Sequence, residues 1–309
     1  MLLVTGASGL LGASVVYEAL KVGRNVVGFS HRQLLRIPGA QMFAVDLTVH
    51  DAVRALVAEL RPQNIIHCAA ATNVDWCEDH TLEAEQINVQ ASAFLADAAH
   101  KLDARFVYVS TDAVFDGKRG NYTETDETSP LNTYARSKLR GEQEVLRHCP
   151  SALIVRVNIY GWNVQNKQSL AEWILHQLAA NKTVPGFTDM YFAPLLTNDL
   201  AEVLLTMLDY GLNGIYHVVG SERLSKYEFA RRVAATFGMD PGGVAPTRVA
   251  EAKLRAPRAP DLSLSTGKIR EALGHPMPDV ESGLRRFRAL RERGYQQQLK
   301  SYLLGVNEF

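Results

Sequence analysis

The first twelve residues constrain this chain more than any other stretch. Leu2-Leu3-Val4-Thr5 is a short apolar run that stops at Gly6, and glycines recur at Gly9 and Gly12. A run of this kind reads as a strand buried on both faces of a sheet. The glycines read as a tight turn opening a helix. Such a turn lets the backbone approach a pyrophosphate, while the first amides and the dipole of the helix attract the anion. The spacing is one residue longer than the Gly-x-Gly-x-x-Gly fingerprint, but the strand before it and the helix after it are the context that fingerprint requires.

The alternation continues. β-rich apolar runs at 26–29, 42–45, 65–67, 106–109 and 153–157 are separated by helical patterns over 12–22, 51–60, 83–101 and 134–147. Strands alternating with helices predict an α/β fold, a doubly wound parallel (Rossmann) sheet with right-handed crossovers. Further on, 168–181 and 198–210 read as helices and 214–219 as a strand. Ser225 with Glu228 is a capping box opening a helix that runs to Phe237. Prolines and glycines between Pro241 and Pro260 predict a loop-rich stretch. The expected division is a dinucleotide-binding domain of 1–160 plus 198–220, and a smaller discontinuous substrate-binding lobe of 161–197 and 221–309.

Charge and composition remove several classes. Lysine plus arginine and aspartate plus glutamate are 33 each among 309 residues, so no net field draws nucleic acid or an anionic membrane. Glycine arrives too early for a signal peptide, and no run of eighteen apolar residues follows, which predicts a soluble cytoplasmic protein. Cys68, Cys77 and Cys149 form no Cys-x-x-Cys pair and read as reduced thiols. The histidines lack metal-ligand spacing, so no metal is expected, and His217 reads as a packed core residue. No Gly-x-Ser-x-Gly elbow is present. The basic run from Arg285 to Arg293 reads as a solvated helix face.

The cofactor groups follow from the turn: Gly6, Ser8, Gly9, Leu10, Leu11 and Gly12. After the second strand an NAD enzyme places a carboxylate on the adenosine ribose. Here Ser30-His31-Arg32 stands instead. Nothing repels a ribose phosphate, and Arg32, beside His31, can hold one with its fork of donors. NADP is therefore the preferred cofactor, with NAD possible. Asp46 and Leu47 follow the third strand, where a carboxylate and an amide can meet the adenine. Cys68, Ala69 and Ala70 end the fourth strand with small side chains that permit close approach.

The chemistry sits in Tyr134-Ala135-Arg136-Ser137-Lys138. Residues four apart share a helix face, so a phenol and an ammonium meet. A phenol titrates near pH ~10, and a neighbouring lysine cation is expected to lower it toward the working range. Ser110-Thr111-Asp112 ends the fifth strand, where ligands of open α/β sheets bind. A hydroxyl there can hold a substrate carbonyl that Tyr134 protonates.

Together these residues resemble the extended short-chain dehydrogenases/reductases, and more narrowly the dTDP-4-dehydrorhamnose reductases. The narrower resemblance rests on Ser110-Thr111-Asp112-Ala113-Val114-Phe115-Asp116-Gly117, Tyr122-x-Glu124, Ser129-Pro130-Leu131-Asn132-Thr133-Tyr134 and Lys138-Leu139-x-Gly141-Glu142. Ala69-Ala70-Ala71-Thr72-x-Val74-Asp75 with Glu78, and Ile87-Asn88-Val89, also match. It implies NAD(P)H-dependent reduction of the 4-keto group of a nucleotide-linked deoxysugar, and a homodimer. Tyr134 would be the general acid, Lys138 would hold the nicotinamide ribose, and Thr111, helped by Ser110, would orient the carbonyl. Asn88 matches an asparagine that props the catalytic helix beside the cofactor. Thr72, Val74, Asp75, Asp112 and Arg258 match positions around the nucleotide sugar. Two departures bear on the substrate. Ala113 replaces a tyrosine, and the chain reads Val157-Asn158-Ile159-Tyr160-Gly161-Trp162 where these reductases more often carry Ser-Trp before the apolar pair and tyrosine. Trp162 is the candidate to take over that tryptophan's contact. Trp76 suits a pocket wall and a packed core equally. An epimerase of nucleotide sugars uses the same Tyr/Lys pair, and regulatory subunits of methionine adenosyltransferase also look like this family.

Overall fold

Each early apolar run becomes a strand of one sheet. In the computed structural model, which describes residues 1–252 and 255–304, these strands are β1 (Leu2–Thr5), β2 (Val26–Ser30), β3 (Ala40–Ala44), β4 (Asn64–His67), β5 (Arg105–Thr111), β6 (Leu153–Val157) and β7 (Gly214–His217). Their order is β7-β6-β5-β4-β1-β2-β3, with every neighbouring pair parallel. β1, β2 and β6 are buried at every residue, as strands covered by helices on both faces must be. The winding reverses between β1 and β4, and ligands of such sheets bind at the carboxyl ends of the strands flanking that point.

Three departures from expectation have physical causes. β3 begins two residues before the apolar run, because it is an edge strand whose register on β2 starts at Ala40 and whose exposed face leaves little apolar signal. The helical pattern over 83–101 is interrupted: Thr81–Glu85 passes into a π-helical turn at Gln86–Gln90 before Ala91–Lys101. Within the stretch expected to be loop, Val244–Thr247 pairs in parallel with Val184–Phe187.

The basic helix Val280–Glu292 is not wholly solvated. Arg285 and Arg288 pair with Glu281 and Glu292 on the exposed face. Arg286 turns inward, reaching Glu18, Asp199 and Glu202 on the helices Leu10–Lys21 and Thr197–Asp209. One guanidinium thus ties the C-terminal helix to two helices covering the sheet, and against burial Glu202 and Asp199 hold it charged. The helix Lys226–Thr236 opens with the expected capping box from Ser225 and Glu228. The three cysteines are free thiols. Among the described residues no helix is long and apolar enough to cross a membrane, and no cluster of His, Cys, Asp and Glu suits a metal.

Candidate active site

The helix Thr133–His148 carries the tyrosine and the lysine, and its first turn is fixed from two sides. Asn132 is the cap, its Oδ1 accepting from the Ala135 amide at 2.9 Å. Glu78 accepts from the Thr133 amide at 2.7 Å and the Thr133 hydroxyl at 2.8 Å. A carboxylate there also meets the positive end of the helix dipole. Asn88, fully buried in the π-helical turn, accepts from the Ala71 amide at 2.8 Å and donates to Ala71 O and to the Ser137 hydroxyl. Asn88 therefore positions the catalytic helix against the loop after β4.

Tyr134 stands beside Thr111 at the end of β5, and hydrogen bonding to Thr111 pulls its phenol down. Burial is the larger effect and lifts the phenol well above its usual range, with Asp112 and Cys77 adding to the rise. The expected lowering by lysine is absent. The Lys138 ammonium donates to Val109 O at 2.8 Å and lies 3.9 Å from the centre of the Tyr108 ring. A phenol held in its protonated form suits an acid that gives a proton to a developing alkoxide.

Ser110 does not join them. Successive residues of a strand face opposite ways, so the two hydroxyls cannot both enter the site. The Ser110 hydroxyl donates to Glu142 Oε1, and Oε2 of the same carboxylate forms a buried ion pair with Arg156 at 2.8 Å. Arg156 also lies over the Phe115 ring and contacts His217, whose imidazole burial holds neutral, titrating at about 3. His217 is the packed core residue the sequence suggests. Ser110 belongs to this internal network, and Thr111 alone offers a hydroxyl to the reacting group.

Asp112 follows Thr111 into the site. Thr111 Oγ1 donates to its Oδ1 at 3.1 Å, and Asn158, just after β6, donates to its Oδ2. Burial pushes this carboxyl up to about 6, against the pull of Asn158, Thr111 and the Lys226 cation. Lys226, the first residue of its helix, faces Asp112 and Arg258, and burial lowers its pKa. Arg258 bonds Asp75 at 3.2 Å, joining the C-terminal loop to the helix Val74–Asp79. Val74 is half-buried at the start of that helix and Thr72 is exposed just before it. Trp162 is placed elsewhere. Its ring is 3 % exposed, stacks on Phe287 with centroids 4.0 Å apart, and donates its indole N–H to Phe287 O. It is core, and Asn158 is the residue from that segment that reaches the site. Trp76 stacks on His80 at 4.5 Å. Sequence reasoning passed over Asn158 and Lys226; the capping box at Ser225 fixes Lys226 at the head of its helix but says nothing of what it faces.

The cofactor residues form a continuous edge. Gly6 takes φ +64°, and a Cβ there would lie 2.7 Å from the Ala69 amide nitrogen, so the turn and the end of β4 meet only because position 6 is glycine. The helix Leu10–Lys21 starts at Gly9 without a side-chain cap or an acidic residue in its first turn. The amides of Leu10, Leu11 and Gly12 are bonded to no group among the described residues. Ser8 and Leu11 are buried beneath them. Asp46, anchored by the Thr48 amide and hydroxyl, lies 3.5 Å from His31, with Leu47 half-buried beside it and Arg32 exposed nearby. Ser30, 2 % exposed, has a buried hydroxyl with no partner among the described residues, next to these groups. Cys68 and Ala70 close the other side, and burial pushes the Cys68 thiol up to about 12, so it stays a thiol. Free helix amides, a close-approach glycine and an orphaned hydroxyl are the features a dinucleotide phosphate chain requires, and these residues fit it.

Lys138 gives a pH prediction. Burial lowers its ammonium to about 7, partly opposed by Glu142. The cation is present below that value and lost above it. Because kcat/KM reports the groups of the free enzyme, it should fall as pH rises through about 7. In Lys138→Arg, which keeps its charge, the same limb should move to higher pH. A wild-type profile flat across this range contradicts the assignment.

Comparison with known proteins agrees with this geometry. Residues 1–291 match the family model described as RmlD substrate binding domain. A "probable low-salt glycan biosynthesis reductase" from Haloferax volcanii is 33% identical, over 91% of this chain and 95% of its own. Methionine adenosyltransferase 2 subunit beta from Danio rerio is 35% identical, over 88% of this chain and 84% of its own. The crystal structure of a dTDP-4-dehydrorhamnose reductase from Bacillus anthracis in complex with NADP superposes with a TM-score of 0.84 at 29% identity, covering 93% of this chain and 98% of that one. With its parallel sheet, its glycine turn and its tyrosine helix in the same frame, this chain belongs to the RmlD substrate binding domain family.

Proposed function

We propose that this protein is an NADPH-dependent reductase of the 4-keto group of a nucleotide-linked deoxysugar, with dTDP-4-dehydrorhamnose as the leading substrate. The carrying observation is that Thr111 and Tyr134 meet at the carboxyl end of β5, with Lys138 bonded to Val109 O of the same strand, beside a turn that fits a dinucleotide. The relatives named as reductases, one of them solved with NADP, support the same reading. In this reading residues 161–197 and 221–309 form the substrate-binding lobe, of which 253–254 and 305–309 lie outside the described residues.

A nicotinamide cofactor held by the glycine turn would supply the hydride for the carbonyl carbon. Thr111 holds the carbonyl oxygen at the phenol. Tyr134 passes its proton to that oxygen as charge develops there, and becomes the phenolate. Lys138, one turn along the same helix, keeps its ammonium on Val109 O and would offer its remaining N–H donors to the nicotinamide ribose. Asp112, fixed by Asn158, accepts from sugar hydroxyls, and Lys226 and Arg258 offer cations to the diphosphate. NADPH bearing deuterium at its transferable position tests the direction of transfer: deuterium should appear at C4 of the sugar. Label lost to solvent, or recovered in the cofactor after turnover, contradicts a reductase and favours an epimerase.

The cofactor preference rests on Arg32 and the absence of a carboxylate after β2. Arg32→Ala should lower the preference for NADPH over NADH by about ten- to a hundred-fold, the size of a lost charge-assisted contact. Steady-state KM values for the two cofactors give the ratio. The methionine adenosyltransferase relative supports a second reading, a cofactor-binding regulatory subunit. That reading calls for a change in methionine adenosyltransferase activity on mixing, with no turnover of any keto sugar.

A further inference from the structure

Two separate contacts run from the C-terminal segment to the dinucleotide groove. The helix Tyr295–Ser301 is anchored by Tyr295 and Leu299, which are 2 % and 0 % exposed, and the Tyr295 ring packs edge-on against Tyr17 of the helix that follows the glycine turn, with centroids 4.7 Å apart. From this helix Lys300 donates to the carbonyl of Gln165, and the Gln165 side-chain amide donates to the carbonyl of Ser8, inside the glycine turn, at 2.8 Å. Immediately after the helix the backbone pairs with the loop that follows β2. Leu303 bridges Leu35 in antiparallel sense, the Arg36 amide donates to Tyr302 O at 2.8 Å, and the Leu304 amide donates to Leu34 O. Leu35 and Ile37, in that loop, are buried. The loop begins at His31 and Arg32. One short segment, lying beyond the family match, therefore grips both the turn for the pyrophosphate and the loop for the adenosine ribose.

We propose that residues 295–304 act as a strap that presets the adenosine half of the dinucleotide groove, with Lys300 and Gln165 as positioning residues. A phosphate-binding turn and a surface loop that are free to move must be ordered when the ligand arrives, and that ordering is subtracted from the binding energy. The strap fixes both beforehand. The contacts that carry it end on Ser8 and on residues 34–36, so its effect is read in cofactor affinity. The inference rests on the dinucleotide-binding part of the function proposed above, and does not depend on which sugar is reduced.

Truncating the chain after Gly294 would also remove buried Tyr295 and Leu299, so side-chain variants make the better test. Gln165→Ala, Lys300→Met and the double variant are compared with the unaltered protein, with Lys300→Arg as the conservative rescue. The readouts are the Kd for NADPH by fluorescence and the Kd for 2′,5′-ADP by calorimetry. The second ligand lacks the nicotinamide half and needs no turnover. Each single variant should weaken both ligands about five-fold, one net hydrogen bond's worth. The double variant should weaken them no more than either single one, because both residues act through one chain of bonds. Lys300→Arg should restore affinity. Affinities within two-fold of the unaltered protein in folded variants, or losses that multiply in the double variant, overturn the strap. Failure of the unaltered protein to bind NADPH and NADH overturns the reductase reading and the strap with it.

Discussion

Tyr134→Phe is expected to reduce turnover about 10²–10⁴-fold, the range of a lost general acid. The substitution removes one oxygen and keeps the ring, so the helix Thr133–His148, capped by Asn132 and held by Glu78, keeps its place. The effect should fall on kcat, because the proton is needed as the alkoxide forms and not for binding. Burial holds this phenol protonated over the whole neutral range, and the Lys138 ammonium is engaged with Val109 O. Stopped-flow measurement of a single turnover separates chemistry from product release. A variant that reduces the sugar within ten-fold of the wild-type rate, where roughly a hundred-fold is the least expected, removes Tyr134 from the mechanism.

The largest stability effect is expected at Glu142. It is 2 % exposed, pairs with Arg156, and takes the Ser110 hydroxyl as well. Glu142→Gln leaves the buried Arg156 guanidinium with no counter-charge, facing a neutral amide, an aromatic face and a neutral histidine. Breaking a buried pair from one side costs about 3–5 kcal/mol, because the remaining charge stays desolvated. Urea unfolding should show a lower midpoint with little change in slope. Replacing both partners, Glu142→Leu with Arg156→Met, should recover much of the loss, since no charge is then stranded. A Glu142→Gln protein as stable as the wild type would mean that Arg156 finds water or another acceptor.

The sheet was legible in the sequence because its signals are local. Apolar runs short enough to be strands, a glycine turn directly after the first, and caps such as Ser225/Glu228 each act within a few residues of where they are read. The tyrosine and lysine were legible for the same reason, being one helical turn apart. What was not legible depends on which way a side chain faces in three dimensions. Ser110 and Thr111 are adjacent letters, yet strand alternation sends one to a buried carboxylate and the other to the reacting group. Trp162 has the composition of a pocket wall but stacks on Phe287, a residue 125 positions away. Asn158 and Lys226 lie far apart in the chain and converge on Asp112 only when β6 and the Lys226 helix are in place. The π-helical turn that seats Asn88 has no apolar period of its own to mark it. The phenol was expected to be lowered by its lysine, but Lys138 bonds Val109 O instead and burial lifts the phenol.

The most direct test of the reductase assignment is the stoichiometry of cofactor consumption. Purified protein is mixed with NADPH and dTDP-4-dehydrorhamnose, the loss of reduced nicotinamide absorbance is followed to completion, and the sugar product is quantified. The account predicts mole-for-mole oxidation of NADPH with formation of the 4-hydroxy sugar. Tight binding of NADPH with no oxidation, or conversion of the sugar with the cofactor returned unchanged, contradicts it.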